Sequence, residues 1–166
     1  GAICKGLSPN ERKTVSECVV CYPAAGEDVR LNSYVYQNIE ETYLANRIIS
    51  LAKEHEARCG LRVGLIVFDH ARLVMSGDPN DANHVTQLTR ILTKIARETG
   101  SSVLVLAHSP KSVYGKEQSS DASEVFGSSA FVDNMRSAFV LHTMRVQEAK
   151  QFGIVEKDRS DYVCLS

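Results

Sequence analysis

The sequence predicts an α/β domain with a predominantly parallel sheet and helices on both faces, a three-layer arrangement. Two almost wholly apolar segments, residues 61–68 and 103–106, are too short for helices; Asp69 directly follows the first, and His108 follows the second after Ala107. Apolar residues at helical spacing lie between them, from Val85 to Ile95. Continuously apolar strands are typical of parallel sheets that are covered on both faces. The alternation of strand and helix predicts right-handed crossovers within a single domain over residues 1–166.

The first third of the chain carries start and stop signals for two helices. Residues 8–11 (Ser-Pro-Asn-Glu) form a capping-box sequence with proline in the first turn, which predicts a helix start. Residues 19–22 suggest a short strand because of their valines and tyrosine. Residues 38–41 (Asn-Ile-Glu-Glu) resemble a second capping box, so a helix is expected from there to Gly60.

The rest of the chain repeats the alternation of strand and helix. The strand at residues 61–68 ends at Asp69, and the strand at 103–106 leads to His108. Residues 109–124 are polar and long for a connection, which is typical of functional loops. Further elements are predicted at residues 126–136 (helix), 138–141 (strand), 146–152 (helix) and 162–165 (strand).

Composition and charge exclude several classes of protein. Hydrophobic residues make up 43% of the chain and charged residues 23%, as in ordinary globular domains. The formal net charge is -1, so contact with nucleic acid requires a local patch or several subunits. No apolar run reaches the roughly 18–20 residues that span a bilayer, so no membrane partner is expected. The N-terminal residues show no secretory hydrophobic region, and a cytoplasmic location is expected.

The five cysteines are Cys4, Cys18, Cys21, Cys59 and Cys164. Cys18 and Cys21 have the C-x-x-C spacing of a redox or zinc site. No second pair of ligands stands nearby at metal spacing. The sequence therefore favours reduced cysteines that act as small hydrophobic residues.

Asp69 is the first candidate site residue. The apolar strand before it gives residues 65–69 the form of a Walker B element, whose carboxylate holds a magnesium-bound water beside nucleotide phosphates. Many α/β strands also end in aspartate simply to cap the following turn, so the pattern alone leaves both interpretations open. His108 ends the next strand, and ligands of open parallel sheets bind at the carboxyl ends of the strands.

His108 and Arg136 are the other candidates for catalysis. An imidazole at a strand end can donate a hydrogen bond to a terminal phosphate and lose it after hydrolysis. The alternative for His108 is a side chain satisfied by loop backbone. Arg136 precedes a predicted strand and could stabilise transition-state charge in its own or a neighbouring subunit. A salt bridge to Asp133 or to a neighbouring acidic residue is the alternative for Arg136.

These segments, in this order and spacing, resemble the hexameric plasmid replicative helicases of the RepA type and their relatives among bacterial and phage RecA-like ATPases. The resemblance covers about residues 6–166. Its most specific pieces are Gly-Ser-Ser-x-x-Val-Asp-Asn-x-Arg at residues 127–136 and His-x-x-Lys at residues 108–111. It implies that the chain is the C-terminal portion of a RecA-like ATPase core. ATP and Mg²⁺ are the implied cofactors, and single-stranded DNA and a homo-oligomeric ring are the implied partners.

The resemblance also implies roles for single residues. Asp69 corresponds to the magnesium aspartate, His108 to the γ-phosphate sensor and Arg136 to an arginine that acts on a neighbouring subunit. The polar loop would face single-stranded DNA, which makes Lys111, Tyr114 and Lys116 candidate nucleic-acid contacts. The alternative for Tyr114, slightly favoured, is an exposed side chain at a loop tip that stacks on no base.

Two basic residues are candidates for binding nucleotide phosphates. Arg72, three residues after Asp69, could contact a phosphate, although solvation is the commoner fate of such a side chain. Lys111 belongs to the His-x-x-Lys pair and is a candidate for the same task.

The sequence departs from the family pattern in its phosphate-binding parts. The 166 residues contain no G-x-x-x-x-G-K-[ST] loop, and the strand bearing the family's catalytic glutamate lies ahead of the matching region. The chain is therefore expected to be a fragment that binds ATP weakly or not at all.

Two other functions stay open from the sequence. One is a non-catalytic RecA-like module that serves as an interaction or regulatory subunit, since a fold does not establish an activity. The other is an unrelated flavodoxin-like or hydrolase fold with Asp69 and His108 paired for acid–base chemistry. The latter is disfavoured because no serine lies in a G-x-S-x-G elbow.

Overall fold

The computed structural model describes residues 6–108 and 129–165, apart from residues 23, 25 and 37. Its helices and strands, in chain order, are α1 (Pro9–Cys18), β1 (Asn32–Val35), β2 (Asn38–Glu41), α2 (Tyr43–Cys59), β3 (Leu65–Phe68), α3 (Ala71–Val74), α4 (Ala82–Thr99), β4 (Ser102–Val105), α5 (Ser129–Asp133), β5 (Leu141–Thr143), α6 (Val146–Gln151), a 3-10 helix (Glu156–Asp161) and β6 (Val163–Leu165).

The strands of the described residues form three two-stranded sheets. β3 and β4 are parallel, whereas β1 pairs with β2 and β5 pairs with β6 in antiparallel fashion. The predicted α/β class and the parallel pairing of the strands at residues 61–68 and 103–106 are confirmed. The described residues do not show a continuous, predominantly parallel three-layer sheet, so that part of the fold remains a prediction.

Helix boundaries follow local capping chemistry where the sequence signals are strongest. At α1 the Ser8 hydroxyl accepts a hydrogen bond from the Glu11 backbone, and the Glu11 carboxylate accepts one from the Ser8 backbone, as predicted. At α4 the Asp81 carboxylate accepts hydrogen bonds from the backbone N–H groups of Asn83 and His84. Gly100 ends α4 in the left-handed conformation.

Two expectations in the first third are wrong. Residues 19–22 form no strand, and Val19, Val20 and Tyr22 are exposed. Residues 38–41 are strand β2 rather than a helix cap, since they pair in register with β1. Helix α2 begins later, at Tyr43, where the Thr42 hydroxyl accepts from the Leu44 backbone. Pairing with a strand that precedes it in the chain thus overrides the local capping sequence.

The hydrophobic core is centred on α4, which packs against α2, the β3–β4 sheet and α5. Its buried members are Leu31, Leu44, Ala45, Ile49, Phe68, Ala71, Val74, Val85, Leu88, Ile91, Leu92, Ile95 and Phe131. Burial of this face is the main stabilising term, because apolar area removed from water contributes about 25 cal/mol per Å². No helix within the described ranges combines the length and apolarity that crossing a bilayer requires.

Only one face of the β3–β4 sheet is covered by the described residues. Ile66 and Phe68 of β3, with Val103 and Val105 of β4, belong to the core or pack against it. On the opposite face Leu65 is 53% exposed, Val67 49%, Leu104 42% and Leu106 38%. The expectation that the strand at residues 61–68 is buried on both faces is therefore not met within the described part of the chain.

The C-terminal elements lie close to the predicted ranges with shifted ends. Within residues 126–136 the described helix is α5, and its Phe131 is buried in the core. The strand expected at 138–141 lies at 141–143, and it pairs with β6. The predicted helix at 146–152 is confirmed as α6.

Candidate functional site

The carboxyl ends of β3 and β4 meet at one edge of the parallel sheet. Phe68 pairs with Val105, and the Leu106 N–H donates to the Phe68 carbonyl at 2.9 Å. The Ala71 N–H then donates to the Leu106 carbonyl at 2.7 Å. These two bonds keep the chain after β3 beside the chain after β4. As a result Asp69 and His108 lie after their strands at the same edge of the sheet.

Two imidazoles are in contact at this edge. The rings of His70 and His108 lie 4.6 Å apart between centroids, edge to face, at an interplanar angle of 68°. The His108 side chain is exposed and that of His70 is half-buried. The peptide bond between Asp69 and His70 is cis. Sequence reasoning missed His70, although its position directly after the candidate residue Asp69 was the available signal.

The Asp69 carboxylate is exposed and forms no hydrogen bond with either imidazole within the described residues. The Asp69–His108 acid–base pair, which the hydrolase alternative requires, is thus not formed in this part of the structure. An exposed carboxylate at a strand end can instead hold a hydrated divalent cation, because Mg²⁺ keeps several of its waters when bound.

Arg72 lies on α3, directly after the Asp69–His70 pair. The Ala71 and Val74 side chains of this short helix are buried, and the Leu73 N–H donates to the His70 carbonyl at 2.9 Å. The Arg72 side chain is exposed. Helix α3 is therefore anchored to the core, and it holds the solvent-exposed Arg72 guanidinium close in sequence to Asp69, the predicted metal ligand.

Arg136 follows α5 and is exposed. Two apolar neighbours fix this segment, since Phe131 is buried in the core and Met135 packs against it. Arg136 forms no ion pair with any residue of the described ranges, so the salt bridge to Asp133 that the sequence left open is not seen. Within the described residues, the exposed Arg136 side chain does not contact Asp69.

Three predicted residues, Lys111, Tyr114 and Lys116, lie outside the described residues. Their assignment to phosphate or nucleic-acid binding stays a prediction from the sequence. The structure thus brings Asp69, His70 and His108 together at the sheet edge, with Arg72 on the adjoining helix.

The predicted role of the N-terminal cysteines as buried hydrophobic residues is wrong, because Cys18 and Cys21 are exposed and free. Cys59 is also exposed and free, with its sulfur 4.0 Å from His55 Nδ1. Residues 19–22 do not form the expected strand, so Cys18 before them and Cys21 among them are not packed in a sheet within the described residues.

A family model described as AAA domain matches residues 20–113, which is more than half of the 166 residues. The matched region contains Asp69, His70, Arg72 and His108 and ends before Arg136. No curated protein matches the chain significantly.

Proposed function

We propose, from the premise that this chain belongs to the AAA domain family, that it is part of an ATP-hydrolysing RecA-like motor that acts on nucleic acid. The family supports an ATPase-type module. The observation that carries the finer proposal is the parallel pairing of β3 with β4, which brings Asp69 and His108 to one sheet edge. Phosphoryl transfer depends mainly on positioning and on electrostatic stabilisation, which polar side chains held at one sheet edge would supply.

Asp69 is proposed to hold Mg²⁺ through a bound water. Its exposed carboxylate and its position after an apolar strand fit a cation that keeps most of its hydration shell. Mg²⁺ held by Asp69 would supply positive charge that offsets the negative charge developing during phosphoryl transfer. The proposal also requires a phosphate-binding loop, and the 166 residues contain no G-x-x-x-x-G-K-[ST] sequence.

His108 is proposed as the sensor of the terminal phosphate, with His70 as its neighbour. The edge-to-face contact of the two rings restricts the orientation of the His108 ring. One of its nitrogens can therefore stay directed toward the terminal phosphate of a bound nucleotide. Loss of the phosphate after hydrolysis would remove that hydrogen bond. The change would pass to the chain segment after β4, which includes the predicted nucleic-acid residues Lys111, Tyr114 and Lys116.

Arg136 is proposed to act on the nucleotide of a neighbouring subunit in a ring. The side chain is exposed and has no ion-pair partner within the described ranges, and the segment that bears it is anchored by Phe131 and Met135. A heterologous interface that closes into a ring would present this guanidinium to the next sheet edge. We propose such a homo-oligomer, with Lys111 and Arg72 as further phosphate contacts.

The three-layer architecture is part of the same proposal. The exposed face formed by Leu65, Val67, Leu104 and Leu106 has the apolar character of a sheet surface covered by helices. A further layer of the ATPase core on this face would complete a RecA-like fold with helices on both sides of the sheet.

The test is Mg²⁺-dependent ATP hydrolysis by the natural full-length protein that contains this chain, with and without single-stranded DNA. Asp69→Asn is expected to lower kcat by at least about 100-fold, because the carboxylate that orients the cation is lost. Asp78→Asn is a matched control, since Asp78 lies in the loop before α4 and is expected to leave the rate within about twofold.

Equal rates for Asp69→Asn and the unmodified protein would reject the metal role of Asp69. A full-length protein that neither binds nor hydrolyses ATP would favour an interaction module over a motor. DNA binding is tested separately with Lys111→Ala/Lys116→Ala. This double variant is expected to reduce the salt dependence of single-stranded DNA affinity by a slope of about 1.4, the value for two phosphate contacts.

A further inference from the structure

Three potential metal ligands converge in the C-terminal part of the chain, on elements that the proposed ATPase site does not use. The potential ligand atoms of His142, Glu148 and Cys164 all lie within 4.8 Å of one another. His142 and Cys164 are directly opposite each other on β5 and β6, and Glu148 lies in the first turn of α6. The His142 side chain is buried, and the other two are partly buried.

Backbone partners orient two of the three side chains. His142 Nδ1 lies 3.1 Å from the Thr143 carbonyl, and a carbonyl only accepts hydrogen bonds, so this contact requires a proton on Nδ1. The lone pair of a neutral ring is then on Nε2. Glu148 Oε2 accepts from the Arg145 N–H at 2.7 Å, which leaves Oε1 facing His142 Nε2 at 3.7 Å.

These backbone hydrogen bonds to His142 and Glu148 are of the kind that orient the side chains of metal ligands. Histidine ligands of metals usually donate their second ring N–H to a carbonyl or carboxylate, and carboxylate ligands are hydrogen-bonded as well. A tetrahedral Zn²⁺ with ligand distances of about 2.0–2.3 Å separates its ligand atoms by about 3.3–3.8 Å. The 3.7 Å between Nε2 and Oε1 already falls in this interval. Separations of up to 4.8 Å within the cluster need an inward shift of about 1 Å at most.

We propose that His142 Nε2, a Glu148 carboxylate oxygen and Cys164 Sγ bind one Zn²⁺ ion, which ties β5, β6 and α6 together. Imidazole, thiolate and carboxylate are the three ligand types that zinc accepts, whereas Mg²⁺ and Ca²⁺ avoid sulfur. A thiolate and a carboxylate together balance the charge of the ion. Three protein ligands leave the fourth tetrahedral position for water or an exogenous ligand.

Burial, followed by the Glu148 carboxylate, raises the pKa of the Cys164 thiol, and the thiol is within hydrogen-bond reach of that carboxylate. The Arg145 N–H, followed by the charge of a protonated His142, lowers the pKa of Glu148. The competing explanation for the cluster is therefore an ordinary ion pair between Glu148 and a protonated His142.

The test is titration of the 166-residue chain with Co²⁺, as a spectroscopic substitute for Zn²⁺, followed by displacement with Zn²⁺. We expect saturation at one equivalent with a thiolate-to-cobalt charge-transfer band. Cys164→Ser is expected to abolish that band. Glu148→Gln, which keeps an oxygen for the Arg145 N–H, is expected to weaken binding by at least about 10-fold. Zn²⁺ is expected to raise the Tm of the unmodified chain and not that of Cys164→Ser.

Two cysteine controls separate this cluster from other thiols. The double variant Cys18→Ser/Cys21→Ser removes the exposed C-x-x-C pair, and Cys59→Ser removes the sulfur near His55; both are expected to retain the band. Circular dichroism of metal-free Cys164→Ser and Glu148→Gln establishes that these variants fold. A band that persists in Cys164→Ser, a band lost in either control, or the absence of saturable binding would overturn the proposal in favour of the His142–Glu148 ion pair. None of these outcomes bears on the ATPase proposal.

Discussion

At the scale of single residues, Asn32 shows how one buried polar side chain fixes a loop beside the candidate site. Its side chain is fully buried, and its Oδ1 accepts from the Ser76 N–H at 2.7 Å while its Nδ2 donates to the Ser76 carbonyl at 3.4 Å. The neighbouring Leu31 N–H donates to the Val74 carbonyl at 2.8 Å. The start of β1 is thereby bound to the segment that leaves α3, the helix next to Asp69.

Replacement of Asn32 by alanine is expected to lower the free energy of unfolding by about 1–3 kcal/mol, because it removes a fully buried side chain that hydrogen-bonds both backbone groups of the half-buried Ser76. Urea denaturation of the chain measures this change. Asn46→Ala is the matched control: Asn46 is exposed and, among the described residues, its side chain accepts only from the Lys94 ammonium, so its loss is expected to cost less than about 0.5 kcal/mol. Similar losses for both variants would contradict the role given to Asn32.

At the scale of elements, the turn between α3 and α4 depends on Gly77. Its φ is +93°, and a Cβ at this position would lie 2.6 Å from His84 Nδ1. That nitrogen accepts from the Asp78 N–H at 2.8 Å, and the His84 ring also contacts Tyr34 edge to face at 5.2 Å between centroids. A side chain at residue 77 would therefore disturb both the turn and the start of α4.

Gly77→Ala is expected to destabilise the chain by at least about 1 kcal/mol more than Gly26→Ala, since steric overlap adds to the conformational cost. Gly26 is a suitable control because its φ is +85° and nothing lies within 4 Å of its added Cβ. Thermal or urea unfolding of the two variants gives the comparison. A Gly77→Ala variant as stable as Gly26→Ala would show that the His84 ring moves aside at little cost.

The elements that the sequence predicted correctly are those whose signals are local. The helix α4 carries an acidic N-cap, a helical apolar period and a C-terminal glycine, and it packs as that pattern requires. The β1–β2 hairpin was missed because residues 38–41 also satisfy a capping sequence. Only the pairing of Asn32 with Glu41 decides between a strand and a helix start at residues 38–41. A short stretch of sequence does not reveal that contact.

The candidate site was predictable to a similar extent. Asp69 and His108 could be placed at one edge because both follow apolar strands that pair in parallel. The contact between His70 and His108 depends on how the chain turns after β3, which composition and period do not encode. The cluster of His142, Glu148 and Cys164 depends on the pairing of two short strands 22 residues apart, so its members share no local motif.

At the scale of the whole molecule, the apolar face of the β3–β4 sheet is the main feature that the described residues leave uncovered. Leu65, Val67, Leu104 and Leu106 form this face, opposite the side that packs on the core. Contiguous exposed apolar surface of this kind marks an interaction site. The proposed RecA-like core would cover it with another layer.

Val67→Thr/Leu104→Thr is expected to reduce binding of a hydrophobic dye and self-association of the chain while changing the free energy of unfolding by less than about 1 kcal/mol. Fluorescence titration and light scattering measure the first two quantities. Leu88→Ala, in the fully buried centre of α4, is the contrast and is expected to cost about 2–5 kcal/mol. Unchanged dye binding in the double threonine variant would show that this face is not the exposed apolar surface in solution.

The central claim, that Asp69 and Arg136 complete one ATPase site from two subunits, is tested most directly by mixing two inactive variants of the natural full-length protein. Asp69→Asn and Arg136→Ala are each expected to lower kcat severely, the latter by about 1,000-fold or more. In mixed rings, about a quarter of the interfaces would combine an intact Asp69 with an intact Arg136 from the neighbour. We therefore expect ATP hydrolysis to recover to about a quarter of the unmodified rate. No recovery in rings shown to contain both variants would contradict the two-subunit site.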